Sequence, residues 1–200
     1  MPQVFYTENE YITLHDKYRC TRNLFQNIFQ SVKESDRAQD NKYFTFIPQE
    51  FDRVYEHFTF LRDYLVENFI ATWNFKFLDV GCGAGNIILI AKEIFSLLDN
   101  NIHGIEYNKK LVDIAKQLIS FNPKIFNVDA FDFKKYRDYD IIYYYRPIED
   151  WKLEKKLERL IEKSMKKNTF LIPFLKKDYT LLKNKSFEKL DNDFEIYRKL

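Results

Sequence analysis

Residues 77–86 read FLDVGCGAGN, from Phe77 to Asn86. The chain of 200 residues has four glycines, and three of them, Gly81, Gly83 and Gly85, fall in this stretch. An apolar run precedes the glycines, and an aliphatic run, Ile87 to Ala91, follows them. Glycine supplies positive φ and lets the backbone approach a ligand closely. The start of a helix offers free N–H groups and the positive end of a dipole. A strand, a glycine loop and a helix in this order are shaped to hold a flat, polar or anionic ligand at the carboxyl end of the strand.

The pattern on either side agrees. Strands are expected at Phe75–Val80, Ile102–Glu106, Lys124–Val128, Tyr139–Tyr145 and Thr169–Phe174. Helical stretches lie between them at Gly85–Leu97, Asn108–Phe121 and Trp151–Met165. This alternation predicts an α/β, Rossmann-like, doubly wound and mainly parallel sheet. Ahead of it, residues 10–35 and Gln49 to Asn68 carry apolar residues at helical spacing, separated by a polar loop at Ser35 to Lys42. Residues 1–72 therefore read as a helical N-terminal extension or lid, and 73–200 as the ligand-binding domain. The tail, SFEKLDNDFEIYRKL, reads as two short strands around Asp191–Asn192–Asp193, an antiparallel hairpin on the sheet edge, with a frayed helix as the other reading.

Composition narrows the function. Hydrophobic residues make up 46% and aromatic residues 18%, enough for a sizeable core. The formal charge of +2 is uneven: residues 1–150 hold 18 basic and 22 acidic side chains, net −4, and residues 151–200 hold 14 and 8, net +6. The basic C-terminal quarter offers a weak nucleic-acid contact, or simply a solvated lysine-rich helix face. Two distant cysteines, Cys20 and Cys82, have no metal-type spacing, so no metal site is expected. The N-terminus lacks a basic segment followed by an apolar core, and Ile87 to Ala91 is far too short to cross a bilayer. The chain reads as soluble and cytoplasmic, with no membrane contact.

Two ligand classes use such a loop. Dinucleotide enzymes place a third glycine, or an alanine, at the sixth position of G-x-G-x-x-G. Here that position is Asn86, and an acid, Asp79, precedes the loop. Asp79-Val-Gly81-Cys82-Gly83-Ala-Gly85-Asn86 resembles the first motif of the class I S-adenosylmethionine-dependent methyltransferases. The resemblance extends over about half the chain, from Phe75 to Phe174. It implies that Glu106, ending the second strand, holds the ribose hydroxyls, and that Asp129 and the Ala130 backbone read the adenine after the third strand. It further implies that the segment 138–148 faces the methyl acceptor. S-adenosyl-L-methionine is then the cofactor. Asp79 suits its ammonium group, and Tyr107 and Phe131 suit the adenine faces, or else the core. Cys82 reads as a small loop filler rather than a nucleophile.

The fourth motif, Tyr145-Arg146-Pro147-Ile148, has one proline and no leading amide or carboxylate. It departs from the Asn/Asp-Pro-Pro-aromatic signature of enzymes that methylate the adenine amine. Tyr145, Arg146 and Pro147 are the acceptor-side candidates. Arg146 guides an anionic acceptor or pairs with Glu149 or Asp150. Phe46-Ile47-Pro48-Gln49, one helix before the loop, loosely resembles a segment of the non-SET histone-lysine methyltransferase group and its small microbial relatives; Pro48 also suits the first turn of a helix. The acceptor stays open among protein lysine, RNA and a small molecule. Two other readings stand beside methyl transfer: a catalytically silent cofactor-binding subunit and an NAD-dependent oxidoreductase. His57 and His103 show no evident partner in the sequence.

Overall fold

A computed structural model describes residues 8–32, 50–174 and 185–200. Among the described residues the chain forms five helices and seven strands: α1 (Glu8–Ser31), α2 (Phe51–Glu67), β1 (Phe77–Val80), α3 (Asn86–Phe95), β2 (Ile102–Glu106), α4 (Lys109–Leu118), β3 (Lys124–Asn127), β4 (Ile141–Tyr144), α5 (Trp151–Ser164), β5 (Phe170–Pro173), β6 (Phe187–Lys189) and β7 (Tyr197–Lys199). Each strand and helix expected from the alternation is present, shortened by one to three residues at some ends. The segments 35–42 and 46–49, read as a loop and as the Pro48 feature, lie outside the described residues. No described helix is long and apolar enough to cross a membrane.

The strands form one sheet in the order β3-β2-β1-β4-β5-β7-β6. β1 to β5 are parallel, and β7 runs antiparallel to both β5 and β6. The order reverses beside β1, whose neighbours β2 and β4 lie on opposite sides. That switch point opens a crevice at the carboxyl ends of β1 and β4. The C-terminal strands form the expected hairpin, but its second strand, β7, docks on β5 and leaves β6 at the edge. Its turn is closed by Asp191 Oδ1, which accepts from the Asp193 N–H at 2.7 Å.

Side chains alternate across the sheet, so each strand feeds two cores. One face, with Phe77, Ile102, Ile141, Tyr143, Phe170 and Ile172, packs under α1 to α4. The other, with Leu78, Val80, Ile105, Ile142, Tyr144 and Leu171, packs against α5 and the turn around Tyr136. Phe58 pins α2 to the first face: it is fully buried, with its ring centroid 5.7 Å from Phe77, 5.3 Å from Phe95 and 5.6 Å from Tyr143. Truncating such a residue costs about 3–5 kcal/mol, so Phe58→Ala is a severe change.

Both histidines that lack evident partners in the sequence have them in the fold. His57 Nδ1 faces the Arg53 carbonyl at 2.8 Å, and its Nε2 lies 3.3 Å from Glu195. The ring sits between Phe174 and Phe194, tying α2 to the C-terminal hairpin. His103 bridges the Tyr139 hydroxyl and the Asn100 carbonyl. These contacts join segments far apart in sequence, which a local pattern does not report.

Candidate functional site

The glycine loop follows β1 at the switch point. Gly81, Gly83 and Gly85 have φ of +80°, +54° and +87°, a region that L side chains rarely adopt. A Cβ on Gly81 would stand 2.8 Å from the Pro147 Cβ, and one on Gly85 would stand 2.3 Å from the Ile119 Cδ1. Gly81 thus lets the loop after β4 close on the glycine loop, and Gly85 lets α3 pack against α4. The Gly81 and Cys82 N–H groups both donate to the Ile105 carbonyl at 2.9 Å, which ties the loop to β2. Gly104 explains the remaining glycine: a Cβ there would lie 2.6 Å from the Cys82 Sγ. Cys82 is buried, and burial, Asp79 and Glu106 all push its thiol well up, so it is held as the neutral thiol.

Two carboxylates flank the loop. Asp79, in β1, is 2% exposed, and its Oδ2 has no hydrogen-bond partner. Burial first, and the neighbouring Glu106 charge second, hold its carboxyl well above the usual range. Glu106 closes β2. Its Oε2 accepts from the Gly83 N–H at 2.9 Å and its Oε1 from the Asn108 N–H at 2.7 Å. Asn108 then caps α4 by accepting from the Lys110 N–H. Glu106 therefore holds the glycine loop and the start of the next helix together. An ionised carboxylate has about four lone-pair sites, so acceptor capacity remains.

The remaining predicted residues gather at the same end of the sheet. Tyr107, next to Glu106, leaves its ring 48% exposed. After β3, Asp129 Oδ1 accepts from the Phe131 N–H at 2.9 Å, an Asx turn that shapes this corner. The Ala130 carbonyl accepts from the buried Tyr136 hydroxyl at 2.7 Å. Phe131 is partly buried, with part of its side chain against the second core.

Beyond β4, Tyr145 is half-buried with its ring 5.9 Å from that of Phe174. Arg146 has φ of +35°, a left-handed backbone that costs a non-glycine residue energy and is characteristic of functional loops. Its guanidinium lies 4.0 Å from Glu154, one turn into α5. This corrects the expected pairing with Glu149 or Asp150. Asp150 instead caps α5, accepting from the Lys152 and Leu153 N–H groups, and those bonds hold its carboxyl below the usual value. An aspartate immediately before the first apolar residue of a helix, here Asp150 before Trp151, is a signal the sequence does carry.

The N-terminal helix packs on α3, the helix that follows the loop. Asn86, the first residue of α3, donates from its Nδ2 to the Phe25 carbonyl of α1 at 2.8 Å. Thr21 of α1 bonds Glu93 of α3, and Tyr18 and Arg22 bond Asp52 of α2. The residue that departs from the dinucleotide pattern is thus fastened to α1.

A family model described as "Methyltransferase domain" matches residues 72–196. The chain belongs to the methyltransferase-domain family. No curated protein sequence matches it. Among solved structures, the plantazolicin methyltransferase BpumL, in complex with a monoazolic desmethylPZN analog and SAH, is similar with a TM-score of 0.50 at 16% identity, over 82% of this chain and 60% of that one. The sugar N-methyltransferase KedS8 from Streptoalloteichus sp ATCC 53650 has a TM-score of 0.45 at 16% identity, over 70% and 60%. DesVI of Streptomyces venezuelae has 0.46 at 12% identity, over 60% and 51%. The chain therefore spans about half to three-fifths of the length of these structures. The likeness to BpumL is one of fold alone.

The methyltransferase site fits S-adenosylmethionine by its donor set. A cationic, zwitterionic ligand needs buried acceptors without competing cations, and Asp79 with its partnerless Oδ2 is such a group. No cation is among the groups that shift the Asp79 carboxyl.

Proposed function

We propose that the chain transfers a methyl group from S-adenosyl-L-methionine to an acceptor drawn from protein lysines, RNA or small molecules. One observation carries this reading: a buried carboxylate oxygen without a partner, Asp79 Oδ2, beside a three-glycine loop at the switch point. When bound, the cofactor supplies a methyl group activated by a sulfonium.

The chain's own residues bind and orient. Asp79 accepts from the ammonium group. The backbone of Gly81, Cys82, Gly83, Gly85 and Asn86 lines the methionine end, where glycine allows a close approach. Glu106 accepts from the ribose hydroxyls by charge-assisted bonds. Asp129 and Ala130 read the adenine edge, and Tyr107 and Phe131 pack on its faces. Tyr145, Arg146 and Pro147 form the acceptor side, where proximity and orientation can supply roughly 7–11 kcal/mol of the barrier. Residues 1–72 act as a lid, a role supported by the Asn86–Phe25 bond.

The same reading places the protein in the cytoplasm, in keeping with two free cysteines, Cys20 and Cys82. A weak nucleic-acid contact through the basic C-terminal quarter belongs to the same reading, made by cations other than Lys166, Arg198 and Lys199, which the fold engages. A second reading, a silent cofactor-binding subunit, is favoured by the Arg146–Glu154 pair, which occupies the acceptor-side cation.

Incubation with methyl-labelled S-adenosylmethionine and lysine peptides, RNA and small amines tests both. Label on one acceptor class establishes transfer and names the class. Cofactor binding without label on any class favours the silent subunit.

A further inference from the structure

Two neighbouring strands at the switch point each bury a polar atom that the protein does not satisfy. Asp79 on β1 and Tyr143 on β4 are register partners. Both side chains leave the same face of the sheet. They are 2% and 1% exposed, and the Asp79 Oδ2 and the Tyr143 hydroxyl both lack a hydrogen-bond partner. The two groups feel each other: after burial, the Asp79 charge is the next cause that pushes the Tyr143 phenol up.

The Tyr143 hydroxyl has no packing purpose. Its ring is held by Phe58, at 5.6 Å, and by Phe174, at 5.8 Å. A phenylalanine would fill the same space. An unpaired buried hydroxyl lowers stability, and such groups are rare enough in folded proteins to call for a cause. Each residue stands one position before the carboxyl end of its strand, and doubly wound folds bind ligands outside those ends. A carboxylate only accepts, and a phenol oxygen both accepts and donates. One ligand group satisfies both acceptors at once, an ammonium with three N–H donors.

Resting on the methyltransferase reading above, we propose that Tyr143 is a cofactor-binding residue, forming with Asp79 a two-point receptor for the ammonium group of the cofactor's amino-acid end. The fixed phenol sets the direction of that end, and the pair selects ligands that carry it over nucleosides that do not.

The test is calorimetric titration of wild type and Tyr143→Phe with S-adenosylhomocysteine and with 5′-deoxy-5′-methylthioadenosine, which lacks the amino-acid end. Thermal unfolding of both proteins without ligand accompanies it. Tyr143→Phe should bind S-adenosylhomocysteine about tenfold more weakly, as expected for a lost bond to a charged group. Its affinity for methylthioadenosine should not change, and its Tm should equal or exceed that of wild type. Equal loss for both ligands, no loss for either, or a lowered Tm would overturn the receptor. Asp79→Asn should show the same selectivity, and the two changes should be non-additive. Should Tyr143→Phe fail to fold, wild type still decides: less than a threefold preference for S-adenosylhomocysteine over its desamino analogue overturns the proposal. Failure of wild type to bind S-adenosylhomocysteine at all would instead sink the methyltransferase reading beneath it.

Discussion

The Nδ2 of Asn86 donates to the Phe25 carbonyl across 2.8 Å, so the first residue after the glycine loop is fastened to the N-terminal helix. Asn86 is itself buried, and its Oδ1 has no partner. Asn86→Ala removes this bond to a carbonyl that already lies within α1 and should cost about 0.5–1.5 kcal/mol of stability. With residues 1–72 acting as a lid, it should also raise the dissociation rate of S-adenosylhomocysteine. Stopped-flow release and urea unfolding check the two effects. A slower or equal release would separate α1 from the ligand.

Gly85 is the tightest point of the loop. Gly85→Ala places a Cβ at φ +87° and 2.3 Å from the Ile119 Cδ1. The left-handed backbone costs about 1–2 kcal/mol and the overpacking about 1–3 kcal/mol. Thermal unfolding should show a Tm lower by roughly 2–4 °C for each kcal/mol lost. Gly81→Ala meets Pro147 instead, so it should push away the loop at 145–148 and weaken ligand binding more than it weakens the fold.

Glu106 does two things, and substitutions separate them. Glu106→Ala frees the Gly83 and Asn108 N–H groups as well as the acceptors offered to the ribose. It should weaken S-adenosylhomocysteine by tenfold or more and lower the Tm. Glu106→Gln keeps one acceptor oxygen and should lose less of each. Unchanged affinity in Glu106→Ala removes this residue from the site.

The Asp79 carboxyl gives the protein a pH signature. Glu106, Cys82 and Tyr143 interact with it, and none is a cation. Its value in the fold is raised, so the native state holds the proton that the unfolded chain releases. Stability from this group is full below the ordinary carboxyl value, about 4, and falls as pH rises through the folded value. Asp79→Asn should therefore flatten the fall in Tm as pH rises above about 4 and make the ligand-free protein more stable at neutral pH. Ammonium binding favours the ionised form, so cofactor affinity should rise with pH over the same range. A Tm profile identical to wild type would mean that Asp79 is not strained in the fold.

Local signals in the chain carry much of this architecture. The glycine loop, the acids ending β1 and β2, and the alternation of apolar runs are all patterns within a few residues. They locate the strands and place the predicted site residues at one end of the sheet. Contacts between distant segments leave no such trace. Glu195 lies 138 residues from His57, and Arg146 finds Glu154 rather than the nearer Glu149 or Asp150 because the α5 cap uses Asp150. Gly104 needs Cys82, in the loop after the adjacent strand, to explain it. Tyr143 reads as one of three consecutive tyrosines until the register with Asp79 singles out its hydroxyl.

Calorimetric titration of the purified protein with S-adenosylmethionine, S-adenosylhomocysteine and NAD tests the central claim most directly. Micromolar binding of the first two and no heat from NAD is the predicted result. Binding of NAD alone would contradict it and make the glycine loop a dinucleotide site.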